Sequence, residues 1–181
     1  MKELYMEKFK KNVKIINVGD FYATKNDEGI ATVLGSCIST CIYDENAGIG
    51  GMNHFLIPGD FRDEEIFISP TARFGMYAME LLMGELIKLN IDRDSIKAKV
   101  FGGANLSGSS MKIGDNNVKF IKAFLSMEGI PIQSIDVGGN FARKVFFFPK
   151  TGRVLIKKIE TKVEKIIETE NKYIKKVEIQ L

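Results

Sequence analysis

The sequence predicts a single α/β domain in which mixed β-sheets are layered with two main helices. Three observations carry that reading. Short apolar runs broken by glycine and asparagine turns recur along the chain, and two longer stretches show the three-and-four spacing of a helix with one buried face. The chain has 181 residues, 45% hydrophobic and 27% charged, enough for one well-filled core and too few for two typical domains.

Taken in order, Lys14 to Tyr22 reads as a strand whose apolar residues Ile15, Ile16 and Val18 end at the turn Gly19-Asp20. Asn26 to Gly29 forms a second turn. Ile30 to Leu34 is a strand, Gly35-Ser36 a tight bend, and Cys37 to Tyr43 a further strand or short helix. Ile49 to Pro58 is predicted as another strand with His54 inside it, ended by Pro58. From Pro70 to Leu89 the residues Phe74, Tyr77, Ala78, Leu81, Leu82 and Leu86 mark a helix, with Ser69 or Thr71 as its cap. Lys97 to Phe101 is a strand leading into the loop Gly102 to Gly108. A second helix from about Asn116 to Met127 buries Val118, Ile121, Phe124 and Leu125 and is stopped by Gly129. Three strands follow, at 132–137, 144–148 and 154–156, separated by Gly138-Gly139 and Lys150-Thr151-Gly152.

The tail from Lys157 to Leu181 places Ile159, Val163, Ile166, Ile167, Ile174 and Val177 at helical spacing, while its Thr, Val and Ile content also suits strands. Helix is the preferred reading and a hairpin around Glu170-Asn171 the other. Residues 1–156 are therefore expected to form the domain and 157–181 a charged extension without visible chemistry.

Charge excludes one class of partner. The net charge of +3 comes from 26 basic and 23 acidic residues; the tail from Arg153 holds 8 and 5 of them, leaving 18 against 18 in the rest. A neutral body without a basic cluster offers little to a phosphate backbone, so nucleic acid is not an expected partner. No apolar stretch approaches the ~20 residues of a membrane helix and the N-terminus lacks an apolar export segment, so no direct membrane insertion and a cytoplasmic location are expected. The two cysteines, Cys37 and Cys41, are then expected to be reduced.

His54 is the only histidine, so any imidazole base must be this residue. With Cys37 it makes a sufficient nucleophile and base, because an imidazole beside a thiol both activates it and returns a proton to the leaving group. Cys37 follows Gly35-Ser36 directly after a strand, a setting in which the local amides of Gly35, Ser36 and Cys37 can form an oxyanion hole. Asn53 beside His54, and Gly103 and Asn105 in the second glycine-rich loop, are candidate substrate-binding positions. On pattern alone the structural alternative stands ahead: a lone histidine on an apolar strand is ordinarily a packed residue and a cysteine in such a run a small hydrophobe. Cys37, Cys41 and His54 make only three metal ligands, so neither a metal nor any other cofactor is expected, and Cys41 is expected to pack beneath the site.

Five ordered blocks resemble one family. ATVLGSCISTC at 31–41, GGMNHFLIP at 50–58, KVFGGAN at 99–105, IGDNNV at 113–118 and DVGGNFARKVFFFPKTGRV at 136–154 together resemble the CheD chemoreceptor glutamine deamidases. The resemblance runs from about Val13 to Val154. It implies a layered α/β fold related to bacterial toxin deamidase domains, and hydrolysis of glutamine side chains on chemoreceptor signalling helices. By position it puts the catalytic cysteine on Cys37, the histidine on His54 and a triad threonine on Thr32, and it implies a CheC-type phosphatase as partner. The family's basic pair is retained as Arg143-Lys144. A rival from another class keeps the fold as a non-catalytic module docking on a CheC-type phosphatase or receptor helices.

Overall fold

The computed structural model describes residues 1–106, 112–160 and 163–178. The chain runs through β1 (Lys2–Met6), β2 (Lys11–Ile15), β3 (Phe21–Thr24), β4 (Gly29–Leu34), β5 (Ile38–Asp44) and β6 (Ile49–Asn53). It continues through α1 (Ala72–Lys88), β7 (Lys97–Gly102), α2 (Ile113–Met127), β8 (Ile132–Val137), β9 (Ala142–Phe148), β10 (Arg153–Ile159) and α3 (Glu164–Glu178). One sheet has the order β1-β2-β4-β9-β10, the other β3-β6-β5-β7-β8. Each is mixed: among the described strands only β2 with β4 and β7 with β8 pair in parallel.

Burial explains the layering. In the second sheet Ile38, Ile42 and Val100 face α1 and α2, where Leu82, Phe120 and Leu125 meet them. The opposite face carries Cys41, Met52 and Phe101 against Ile30, Leu34 and Phe147 of the first sheet. Strand β5, at the centre of its sheet, is buried at every position. A strand covered on both faces has no polar alternation, which is why its sequence reads equally as strand or short helix.

The α/β class and mixed sheets agree with the sequence reading, and several element limits differ. A third helix, α3, joins the two expected ones. Polar β1, exposed from Lys2 to Tyr5, pairs antiparallel with β2 and adds a strand to those the sequence predicts. The expected first strand is split between β2 and β3 by the Gly19-Asp20 turn. Strand β6 stops at Asn53 rather than Pro58, and His54 lies just past it, because Phe55 crosses back to exchange two 2.9 Å backbone hydrogen bonds with Ile38. In α1, Tyr77 is 61% exposed rather than inward; the buried stripe is Ala72, Gly75, Met79, Leu82, Met83 and Leu86. Ser69 Oγ, not Thr71, caps that helix by accepting from the Ala72 amide at 3.1 Å. Gly129, with φ +67, ends α2 in the left-handed conformation as expected. Strand β10 runs past residue 156 to Ile159, and Ser107 and Gly108 lie outside the described residues.

Two glycines of α1 separate packing from helix propensity. A Cβ on Gly75 would lie 2.5 Å from the Phe120 ring and 2.7 Å from Ile57 Cδ1, whereas a Cβ on Gly84 would meet nothing within 4 Å. Gly84→Ala should therefore stabilise by roughly 0.5–1 kcal/mol, the helix-propensity gain. Gly75→Ala makes the same gain but forces a buried ring aside at ~1–3 kcal/mol, so it should be net destabilising, by about 1 kcal/mol at the middle of those ranges. Urea unfolding midpoints of the two variants should move in opposite directions.

Candidate active site

The exchange of backbone hydrogen bonds between Ile38 and Phe55 sets the geometry of everything nearby. Side chains alternate across a sheet, so with Ile38 and Phe55 turned to the helices, Cys37 and His54 share the opposite face, diagonally placed and aimed at the first sheet. His54 is anchored by its backbone on both sides: its N–H donates to Asp20 O at 3.0 Å and its carbonyl accepts from Gly19 N at 2.7 Å. The histidine is rigid although it lies outside a strand.

Thr32, on β4 of the facing sheet, reaches across to the imidazole. Its Oγ1 lies 2.8 Å from Ile16 O and 2.7 Å from His54 Nδ1. A hydroxyl has one proton, and a carbonyl can only accept, so Thr32 donates to Ile16 O and must accept from His54 Nδ1–H. That fixes the tautomer: the proton is on Nδ1 and the Nε2 lone pair is free. Nε2 is buried and has no hydrogen-bond partner among the described residues. A buried imidazole nitrogen with its lone pair unengaged is what a base awaiting a proton presents.

The bend at Gly35-Ser36-Cys37 is held from behind by its three carbonyls. Gly35 O accepts from Ala104 N at 2.8 Å, Ser36 O from Asn117 Nδ2 at 3.0 Å and Cys37 O from Gly103 N at 2.8 Å. In front, the three amides converge on one carboxylate, Glu170 of α3: Gly35 N at 3.1 Å, Ser36 N at 3.1 Å and Cys37 N at 3.3 Å, joined by Ser36 Oγ at 2.7 Å. Three successive amides pointing at one anion form a concave anion site of the nest type. The Gly102-Gly103 pair is what allows the loop behind to come so close: a Cβ on Gly102 would lie 2.1 Å from Cys37 O.

The structure thus gathers Thr32, His54, Cys37, Gly35 and Ser36, and it places the remaining sequence candidates elsewhere. Gly103 supports the bend through its backbone. Asn53 does not face the site; its Oδ1 accepts from Thr40 N at 3.0 Å and its Nδ2 donates to Ala78 O at 3.3 Å, bolting the second sheet to α1. Asn105 is exposed on the rim, with Nδ2 donating to Asp115 Oδ1 at 3.0 Å. Cys41 is buried in the inter-sheet core, and both thiols are free. Arg143 is buried too, its guanidinium paired with Asp136 at 2.8 Å. Two residues escaped sequence reasoning. Asn117 lies in one of the recognised blocks, IGDNNV, but only the fold shows that it grips Ser36; Glu170 is one of five tail acids and has no local signal at all.

Burial dominates the electrostatics. It holds the His54 imidazole down to about 3, so the ring is neutral at ordinary pH. The Cys37 thiol is pushed well above its usual value, first by burial and then by the Glu170 carboxylate beside it. A cavity of about 890 Å³ reaches His54 and Thr32 from the side of α3 and is lined also by Lys144, Lys157, Lys158 and Glu170.

Residues 56–158 match the family model described as CheD chemotactic sensory transduction. A "Probable chemoreceptor glutamine deamidase CheD" of Laribacter hongkongensis is 44% identical over 154 residues, 84% of this chain and 75% of that protein. This chain belongs to the CheD family. CheD relatives bearing the same description from Janthinobacterium sp. and Methylobacillus flagellatus are each 45% identical, covering 86% and 87% of this chain and 77% and 79% of their own. The family model begins two residues past His54, but alignments this long necessarily span Thr32, Cys37 and His54. Among solved structures, the hypothetical protein YfiH of Bacillus licheniformis aligns at 13% identity and TM-score 0.36, over 67% of this chain and 50% of its own, a likeness too slight to define the fold.

Because the chain has one histidine, its ring can be read without assignment ambiguity. Nitrogen NMR of the labelled protein should show a proton on Nδ1 and none on Nε2 from about pH 5 to about pH 8, with no titration in that range. An Nε2–H tautomer would contradict the Thr32 geometry. The sign of the linkage follows: with the folded value near 3 and the unfolded value near 6.5, the unfolded chain binds more protons between them, so this histidine's share of stability is complete above 6.5 and is lost as pH falls toward 3.

Proposed function

We propose that this CheD-family chain is a protein-glutamine deamidase that hydrolyses glutamine side chains of chemoreceptors to glutamate, with Cys37 as nucleophile, His54 as acid and base, and Thr32 holding the imidazole. The observation that carries the reading is the pairing of a free Nε2 lone pair with an adjacent three-amide anion site on the cysteine's own bend. A base and an oxyanion site on either side of a thiol suit acyl transfer at a planar carbonyl.

His54 Nε2 takes the Cys37 proton, and the thiolate attacks the carboxamide carbon of the bound glutamine. The carbonyl oxygen, now an anion, sits on the amides of Gly35, Ser36 and Cys37. The tetrahedral centre collapses as Nε2–H gives its proton to the departing nitrogen, releasing ammonia and leaving a thioester. A water molecule that Nε2 deprotonates then attacks the thioester; the second tetrahedral centre expels the Cys37 sulfur, which recovers its proton, and glutamate leaves. Thr32 acts throughout by keeping Nδ1 protonated, which leaves Nε2 as the nitrogen free to take and return a proton.

The substrates in this reading are the signalling helices of chemoreceptors, the partner a CheC-type phosphatase and the location the cytoplasm. The scaffold is that of the toxin deamidases. Among the described residues no helix is long and apolar enough to cross a membrane. The non-catalytic alternative predicts that chemoreceptors bind without being changed.

Incubation with receptor fragments should release ammonia and make the modified glutamines heavier by about 1 Da, and Cys37→Ala should abolish both. Thr32→Val should lower kcat by roughly 10- to 100-fold while KM changes little, because it disturbs only the base. Ammonia release at an undiminished rate by Cys37→Ala would sink the assignment.

A further inference from the structure

We propose that α3 is a built-in product mimic: it docks in the groove for the substrate helix with Glu170 on the oxyanion site, and the enzyme is closed until this helix is displaced. The inference rests on the deamidase reading above and deepens it.

Four observations point the same way. First, Glu170 is chemically the product. A glutamine hydrolysed at this site leaves a glutamate whose carboxylate oxygens stand where the oxyanion stood, and the two Glu170 oxygens accept from the three bend amides at 3.1–3.3 Å and from Ser36 Oγ at 2.7 Å. Second, the carboxylate comes from a helix, the form in which a long receptor segment would present its own side chain. Third, the rest of that helix reads as a docked ligand. Ile166, Ile167, Tyr173, Ile174 and Val177 share the face of Glu170 at spacings of three, four and seven, and Tyr173 and Ile174 pack on the inter-sheet core, with Tyr173 against Gly19. Fourth, the docked helix covers the nucleophile: Cys37 is 0% and His54 6% exposed, and the cavity beside α3 reaches His54 but is not lined by Cys37.

A carboxylate in this position has no part to play in the reaction. It occupies the hydrogen-bond donors that the transition state needs and places negative charge beside the sulfur that must become an anion. A structural strut would not need to be placed there; a competitive ligand would. The groove that α3 fills therefore selects a helix with apolar residues three and four positions to either side of the target glutamine. A segment with that pattern competes with α3 for the same surface.

The test uses the full chain and its variants Glu170→Ala, Ile174→Asp and Glu170→Gln. Iodoacetamide labelling at neutral pH, read by peptide mass, should modify Cys37 at least about tenfold faster in Glu170→Ala and Ile174→Asp than in the unaltered chain, with Cys41 still protected. An unchanged Cys37 rate, or Cys37 and Cys41 rising together as the fold loosens, overturns the proposal. Glu170→Gln turns the mimic into a substrate in cis. Residue 170 should then gain about 1 Da at a rate independent of protein concentration, and not when Cys37→Ala is combined with it. Receptor glutamines converted while residue 170 of Glu170→Gln is not would overturn the product-like docking and leave the deamidase reading standing. Faster Cys37 labelling with no glutamine converted anywhere would uphold the occlusion and sink the deamidase reading instead.

Discussion

Everything at this site depends on the orientation of two peptide planes and their neighbours at Gly35-Ser36-Cys37. A trans peptide points its N–H opposite to its C=O, so pinning a carbonyl on one side aims an amide at the other. The bend has all three carbonyls tied behind it, by Ala104, Asn117 and Gly103, and all three amides in front. Buried amides must find an acceptor, and no protein carbonyl can serve three at once; an anion can. The sequence cost of this arrangement is the glycine pair at 102–103, where any side chain would strike the Cys37 carbonyl or Val118.

The second constraint is dryness. The site lies at the interface of two sheets, and burial makes both of its titratable groups prefer neutrality: the imidazole loses its proton and the thiol keeps its own. At rest Cys37 and His54 are therefore both neutral, and no ion pair is preformed between them. Proton transfer between them becomes favourable only when something stabilises the resulting anion, and the carboxylate of α3 does the reverse. An uncharged carboxamide in its place would remove that negative charge from beside the sulfur.

Cys37 and His54 were legible as a pair because the chain has one histidine and a cysteine on a glycine bend, and ordered motifs then favoured chemistry over packing. Thr32 was implied only by resemblance; its hydroxyl spans two sheets, a contact that no spacing along the chain encodes. Asn53 misled because it adjoins His54, yet neighbours on an extended chain point to opposite faces, so the residue beside His54 is the one turned away. Helices α1 and α2 were legible from periodicity, whereas β1 was not, since an exposed edge strand such as Lys2–Met6 has no buried face to pattern. The tail's helical spacing was visible, but Glu170 meets the bend across 133 to 135 residues of chain, and separation of that order leaves no local trace.

The most direct measurement is a crystal structure of the Cys37→Ala chain with a helical receptor peptide whose glutamine is a target. The account predicts the glutamine carboxamide oxygen within hydrogen-bonding distance of the amides at positions 35 to 37, with its nitrogen toward His54 Nε2 and α3 no longer in the groove. A peptide glutamine bound away from the bend, with Glu170 still held by those amides, would contradict it.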